Sequence, residues 1–355
     1  MNNPIIANRK GYMKGLREGK TYLWCSCGRS AKQPFCDGSH EGTSFTPVKY
    51  KAMQDEDVIF CGCKHTQNAP FCDGTHNNLP NGYAEDDPNS AENLLIPTVT
   101  KYTDARLMLD GGCYVFSPDH ATWTTQADLQ YTMIIGAEMD AKYQSQFFMK
   151  QTGPTATIMT FGDRDTILFV VAGVGKIIIS GQEFEVGPRD GIYVRPNEAL
   201  QLSNGLEVFI SPCPEASGPI WTSIMPDNFD TTEPKRVIPV DKKGWSAMAA
   251  RAFQVLVDKD IGCTNATQFI GNIPPSKAEP HRHLYEEALI ILTGTGFMWT
   301  ETKKAPVKAG DIIFLPRKQE HSLECTNPEG QNGGQHIGMD VVGVIFPGDN
   351  PSINY

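Results

Sequence analysis

Gly271-Asn-Ile-Pro-Pro-Ser-Lys-Ala-Glu-Pro-His281-Arg-His283-Leu-Tyr-Glu-Glu287, then six residues and Gly294, is the stretch on which the fold turns. Alternate residues of a β-strand point to one face, so His281 and His283 can grip one ion, and Glu287 offers a carboxylate four positions on. Downstream, Gly310-Asp-Ile-Ile-Phe-Leu-Pro316 leads to His321, a fourth donor. Around these donors run short apolar segments, among them Thr166-Ile-Leu-Phe-Val-Val171, Gly191-Ile-Tyr-Val194 and Ala288-Leu-Ile-Ile-Leu292, separated by Gly, Pro, Asn and Asp. Many short strands punctuated in this way predict a mainly β sandwich or barrel. There is no long amphipathic pattern and no GxGxxG or P-loop signature, which speaks against nucleotide binding.

The two donor segments resemble the signature motifs of the cupin superfamily, Gx5HxHx3-4Ex6G and Gx5PxGx2Hx3N. The HxHx3Ex6G core is intact, but Pro274 and Pro275 lengthen the approach to it, Lys318 replaces the glycine of the second motif and Cys325 its asparagine. The resemblance implies a jelly-roll barrel that holds one mononuclear divalent metal through His281, His283, Glu287 and His321. Such a donor set suits Fe(II), Mn, Ni, Cu or Zn. Cys325 shares strand parity with His321 and is expected to point into the pocket. Arg282 and Arg317 flank the ligands and could clamp an anionic substrate, while Glu286, on the opposite face, is expected in solvent.

Residues 158–204 resemble a second cupin barrel that has lost its metal. Phe161-Gly-Asp-Arg-Asp165 and the strand after it imitate the glutamate segment, and Gly191-Ile-Tyr-Val-Arg-Pro196 with Gln201 and Asn204 imitates the second motif, but the histidine pair is absent. Gln201 stands where a ligand histidine is expected, and this barrel reads as structural.

The amino-terminal region carries a different chemistry. Cys25-Ser-Cys27…Pro-Phe-Cys36-Asp-Gly-Ser-His40 and Cys61-Gly-Cys63…Pro-Phe-Cys72-Asp-Gly-Thr-His76 repeat one pattern at an offset of 36 residues. Three thiolates and an imidazole per copy suit zinc or an iron-sulfur cluster. Both copies match CxCx2[ST]x3PxCDG[SAT]H at every specified position, the pattern of the CDGSH (mitoNEET-like) iron-sulfur family. The resemblance implies a [2Fe-2S] cluster on Cys25, Cys27, Cys36 and His40 and another on Cys61, Cys63, Cys72 and His76, two clusters in all, with the tandem folded as an internal pseudo-dimer. A pair of structural zinc knuckles is the competing reading.

These readings divide the chain into a tandem iron-sulfur domain of short strands and ligand loops (1–80), a linker rich in Asn, Pro and acidic residues (81–97), a metal-free cupin barrel (98–235) and a metal-binding one (236–355). A net charge of −10 argues against nucleic acid or an anionic membrane as partner. There is no apolar leader and no membrane-length apolar run, so a cytoplasmic protein is expected, and the four cysteines outside the repeats are too scattered for a disulfide framework. Ordinary cupin dioxygenases take their electrons from substrate, so a cluster on the same chain shifts the expectation to a redox enzyme with externally supplied electrons and favours Fe(II) in the cupin. The expected partners are a small organic substrate and an electron-donor reductase, and the chain is a monomer or a homodimer. A redox-neutral hydrolase or isomerase, and a redox sensor or cluster-transfer protein, are the alternatives.

Overall fold

The computed structural model describes residues 3–80, 84–139, 141–241, 244–327 and 338–355. In the amino-terminal segment Tyr12–Leu16 pairs antiparallel with Glu56–Phe60, and Thr21–Trp24 with Val48–Lys51. A shift of 36 residues carries 12–15 onto 48–51 and 21–24 onto 57–60, so each copy of the repeat lends its first strand to the second strand of the other. This strand exchange gives the expected pseudo-dimer its physical basis, because neither copy can complete a sheet alone. Phe35 and Phe71 lock it by packing on Phe60, with ring centroids 5.4 and 5.6 Å away.

The remainder forms two jelly-roll barrels, each built from two facing antiparallel sheets. The first encloses an apolar interior that includes Phe147, Met149, Leu168, Val170, Ile192, Leu200 and Leu202. The second encloses Phe269, Leu289, Met298, Leu323 and Val341, with the three histidines at its mouth. A third apolar layer, including Phe169, Tyr193, Phe209, Ile270, Ala288 and Phe314, glues the two large sheets face to face. Strands in this layer are buried on both faces, which is why they read as unbroken apolar runs. Among the described residues no helix is long and apolar enough to cross a membrane.

The strands do not respect the expected boundaries. Arg106–Met108 and Tyr114–Phe116, assigned to the first barrel, extend the large sheet of the second, where Phe116 pairs with Ile312 and Tyr114 with Phe314. Their alternation explains it: Leu107 and Val115 enter the second barrel's interior while Tyr114 and Phe116 enter the layer between barrels. Conversely Val237–Ile238 pairs with residues 191–192 of the first barrel. In the expected linker, Glu85–Asp86 pairs with Lys277–Ala278, and Asp86 forms an ion pair with the buried Lys277; residues 81–83 lie outside the described residues.

Candidate metal centres

In the second barrel, His281 and His321 exchange backbone N–H···O bonds of 3.0 Å, a bridge that sets their side chains next to each other. The Nδ1 of His281 lies 2.8 Å from the Glu279 carbonyl and that of His321 2.8 Å from the Gln319 carbonyl. A carbonyl only accepts, so each Nδ1 carries the proton and each Nε2 presents a lone pair, the tautomer a metal ligand needs. His283 completes a cluster whose donor atoms all lie within 4.8 Å of one another. The Oε2 of Glu287 lies 3.5 Å from His283 Nδ1, which is buried and has no hydrogen-bond partner. Burial, reinforced by the neighbouring imidazoles, pushes His281 well below the usual histidine range and His321 down to about 3. Neutral imidazoles, a nearby carboxylate and an orphaned ring nitrogen are together a donor set that fits a divalent cation.

The histidines open onto a cavity of about 110 Å³ walled by Phe253, Phe269, Leu289, Met298, Leu323 and Val341. Neither arginine expected to clamp substrate lines it. Arg282 points outward to Glu320 at 2.9 Å, and Arg317 is tied to the Leu284 carbonyl and lies over the Tyr143 ring. Arg282 leaves through the barrel wall because its neighbours His281 and His283 face the interior. Cys325 is buried in the barrel core and paired in register with Ser276 and Gly296, but does not line the cavity. Glu286, expected in solvent, is 2 % exposed and accepts the backbone N–H groups of Lys142 and Tyr143, because the face opposite the ligands packs on the first barrel. The arginine that does line the cavity is Arg251, whose Nη2 donates to the Leu323 carbonyl. Arg251 lies 30 positions before His281, and no motif marks it.

The first barrel contains no comparable site among the described residues. Leu200 and Leu202 fill its interior, so Gln201 between them faces out. Asp165 accepts from Tyr193 and from Asn265 of the second barrel, fastening the two barrels together.

In each CDGSH copy the four donors form two pairs. Cys25 Sγ lies 3.6 Å from Cys27 Sγ and Cys36 Sγ 3.2 Å from His40 Nδ1; in the second copy the distances are 3.5 Å for Cys61 and Cys63 and 3.4 Å for Cys72 and His76. Two two-donor ends suit the two irons of a [2Fe-2S] cluster better than one tetrahedral zinc. The rest of the motif frames them. Ser30 and Thr66 each donate to the carbonyl of the phenylalanine five residues on, Asp37 and Asp73 accept the amides of Ala31 and Gln67, and the Pro34 and Pro70 carbonyls accept from Cys25 and Cys61. Backbone amides also point at the sulfurs, as Gly38 N does at Cys36 and Lys64 N at Cys61.

The copies differ in surroundings. Cys36 and His40 are half-buried, and the far nitrogen of His40 meets no partner among the described residues. Cys72 is 5 % and His76 2 % exposed. His76 Nε2 lies 3.0 Å from Asn354 Oδ1, Asn77 donates to the Ser352 carbonyl at 2.8 Å, and both His76 and Asn77 line the cupin cavity. Gly74 permits this approach: it sits at φ 82°, and a Cβ there would fall 2.0 Å from Ser352 Oγ. Lys64 follows Cys63 at φ 69°, where the first copy has Gly28 at φ 76°. Its ammonium is buried over the Trp24 ring at 4.8 Å and donates to the Cys61 carbonyl, placing one cation among thiols of both copies. Lys318 takes the left-handed position of the missing motif glycine, at φ 67°, and reaches Asp57 at 2.6 Å, so this departure from the cupin pattern tethers the two domains.

Comparison with known proteins agrees with this geometry. Residues 2–41 and 42–77 match the family described as iron-binding zinc finger CDGSH type, and residues 269–330 the family described as cupin domain. The human mitochondrial CDGSH iron-sulfur domain-containing protein 3 is 58 % identical over 52 residues, and its mouse counterpart 49 % over 53; each match spans 14 % of this chain. It spans 41 % and 39 % of those relatives' own length. Among solved structures, protein Ylba from E. coli superposes with a TM-score of 0.52 at 14 % identity, covering 74 % of this chain and 99 % of that one. A Lactobacillus farciminis oxalate decarboxylase in complex with formate gives 0.50 at 12 %, covering 71 % and 88 %. At such identities these likenesses establish the fold. Residues 2–77 thus match the CDGSH iron-sulfur type and residues 269–330 the cupin domain, each around a cluster of metal-ligating side chains. The arrangement is a tandem CDGSH-type segment followed by two jelly-roll barrels, the second of which matches the cupin domain.

Proposed function

We propose that the chain is a redox enzyme in which the cupin site, loaded with Fe(II), acts on a small and largely apolar organic molecule, with a [2Fe-2S] cluster in each CDGSH copy relaying electrons to it. The observation that carries this reading is the position of His76: a ligand of the second CDGSH site lines the same cavity as His281, His283 and His321. When bound, the clusters supply single electrons and the mononuclear metal supplies a Lewis-acidic centre with open positions. The chain does the rest. Neutral imidazoles and the Glu287 carboxylate hold the cation, and the apolar walls exclude water and shape the substrate. Asn272, fixed by Asp340 at 2.8 Å, and Arg251 offer polar contacts in that wall.

Electron paramagnetic resonance on anaerobic, reduced protein, recorded before and after adding nitric oxide, tests the proposal. A reduced-cluster signal joined by a high-spin iron-nitrosyl signal that disappears in His281→Ala is the expected result. A cluster signal without the nitrosyl species, in fully metallated protein, would sink it in favour of a redox-neutral cupin.

A further inference from the structure

Charge is distributed unevenly along this chain. Residues 1–80 hold ten Lys and Arg against seven Asp and Glu, a balance of +3, while the whole chain stands at −10. The excess is concentrated around the first CDGSH copy. Arg29 and Lys32 lie in its ligand loop, where the second copy has His65 and Asn68. Lys49 and Lys51 project from the strand paired with Thr21–Trp24, and Lys49 is directly opposite Leu23, whose carbonyl accepts the amide of Cys36. All four cations are exposed, and none forms an ion pair among the described residues, whereas the neighbouring Arg17 and Lys10 are paired with Asp55 and Glu279. Leu23, opposite Lys49, is 45 % exposed. Of the nearby acids, Asp37 is turned into its own loop by bonds to Ala31 and Ser39, which leaves Glu41.

An exposed apolar residue with unpaired cations on the facing strand and in the adjoining ligand loop, next to a half-buried cluster ligand, has the anatomy of a transient electron-transfer contact: charge steers the encounter, and the small apolar centre sets a short approach without a long residence time. We propose that this face is the docking site of an acidic one-electron carrier protein. Resting on the reading above, the inference names the electron donor's surface chemistry and its point of entry. One electron leaves the reduced carrier and reduces the oxidised cluster on Cys25, Cys27, Cys36 and His40; the carrier departs oxidised, and no bond is made or broken. The second copy cannot serve as this entry, because His76 and Cys72 are sealed against the cupin barrel. A nucleic acid or an anionic membrane would meet the same cations, but neither accounts for their placement around a redox ligand.

The test is stopped-flow bleaching of cluster absorbance in the full-length, cluster-loaded protein, with a reduced plant-type ferredoxin as the acidic probe and dithiothreitol as an uncharged reductant. The rate with ferredoxin should fall steeply with salt, and should drop more than tenfold in the triple variant Arg29→Glu, Lys32→Glu, Lys49→Glu at low ionic strength. The rate with dithiothreitol should change less than threefold. A conservative variant, Arg29→Gln with Lys32→Gln, should give an intermediate loss and guards against misfolding. A salt-independent ferredoxin rate, an equal loss with both reductants, or binding of anionic vesicles or duplex DNA without any ferredoxin effect would overturn the proposal. Failure of the enzyme reading looks different: ferredoxin would still reduce the clusters in a patch-dependent way, while no nitrosyl species or turnover appears at the cupin.

Discussion

The two CDGSH copies are nearly the same in motif and opposite in setting. One keeps its histidine at the surface beside exposed cations; the other presses its histidine against Asn354 in the wall of the cupin cavity. Ligand spacing is thus a local property, whereas what a ligand faces is a property of docking. The lesson extends to single residues. Lys64 and Lys318 both sit in left-handed backbone where glycine is the easier residue, at a cost of about 1 kcal/mol each. Each recovers something: one places a cation between the two ligand sets, the other ties the iron-sulfur domain to the barrel.

The difference between the copies can be broken most directly by removing iron. With a chelator at neutral pH, cluster absorbance should decay in two phases of equal amplitude, the exposed copy more than tenfold faster. His40→Ala should abolish the fast phase and His76→Ala the slow one, and a single phase in the parent protein would show the two settings to be equivalent.

The cupin side offers the next largest effect, in metal-free protein. His321 has an ordinary value near 6.5 when unfolded and about 3 when folded, so between these limits the unfolded chain binds more protons. Stability is therefore complete above pH 6.5 and is lost as pH falls towards 3, by about 2 kcal/mol between pH 6.5 and 5 for this residue alone. Urea unfolding at the two pH values measures it, and His321→Gln should flatten the dependence. Although His76 shares the cavity wall, the His321 shift comes from burial and from His283, so loading the CDGSH copies should leave this slope in place; a slope that vanishes on loading would mean the second copy and the cupin site titrate as one unit.

Smaller effects separate the copies further. Lys64→Met removes a buried cation that lies near thiols of both, and should lower both midpoint potentials, by about 60 mV each if the attraction is worth about 1.4 kcal/mol. A redox titration followed by electron paramagnetic resonance would show whether one midpoint moves alone, which would place Lys64 with a single copy. Asn354→Ala should act on the second copy only, costing about 1 kcal/mol in thermal stability and shifting one of the two reduced-cluster signals. Movement of both signals would contradict the separation described here.

Much of this molecule was legible before folding. Donor residues at short, motif-bound spacing come together through local geometry: an x-Cys-x-Cys turn, a Cys-Asp-Gly loop and two strand positions of equal parity need no distant partner to be recognised. His281, His283 and His321 accordingly meet as expected, and so do the two donor pairs of each CDGSH copy. Arg282, Arg317 and Glu286 were misread for a common reason. Parity assigns a side chain to one face of a strand but not to what meets it there: Glu286 is covered by the first barrel, while Arg282 turns out to Glu320 and Arg317 lies over Tyr143. The domain boundaries failed likewise, because apolar alternation marks Tyr114–Phe116 as a strand without saying which barrel it completes.

From the chain alone, then, come the mainly β class, the repeat and the grouping of His281, His283 and His321, all consequences of periodicity and spacing over a few residues. Tertiary structure alone decided the strand exchange between copies, the entry of Arg251 into the cavity and the meeting of His76 with Asn354 across 278 positions of sequence. These contacts arise when separate apolar surfaces are buried against one another, and that burial depends on shape complementarity summed over the whole surface, which no local pattern encodes.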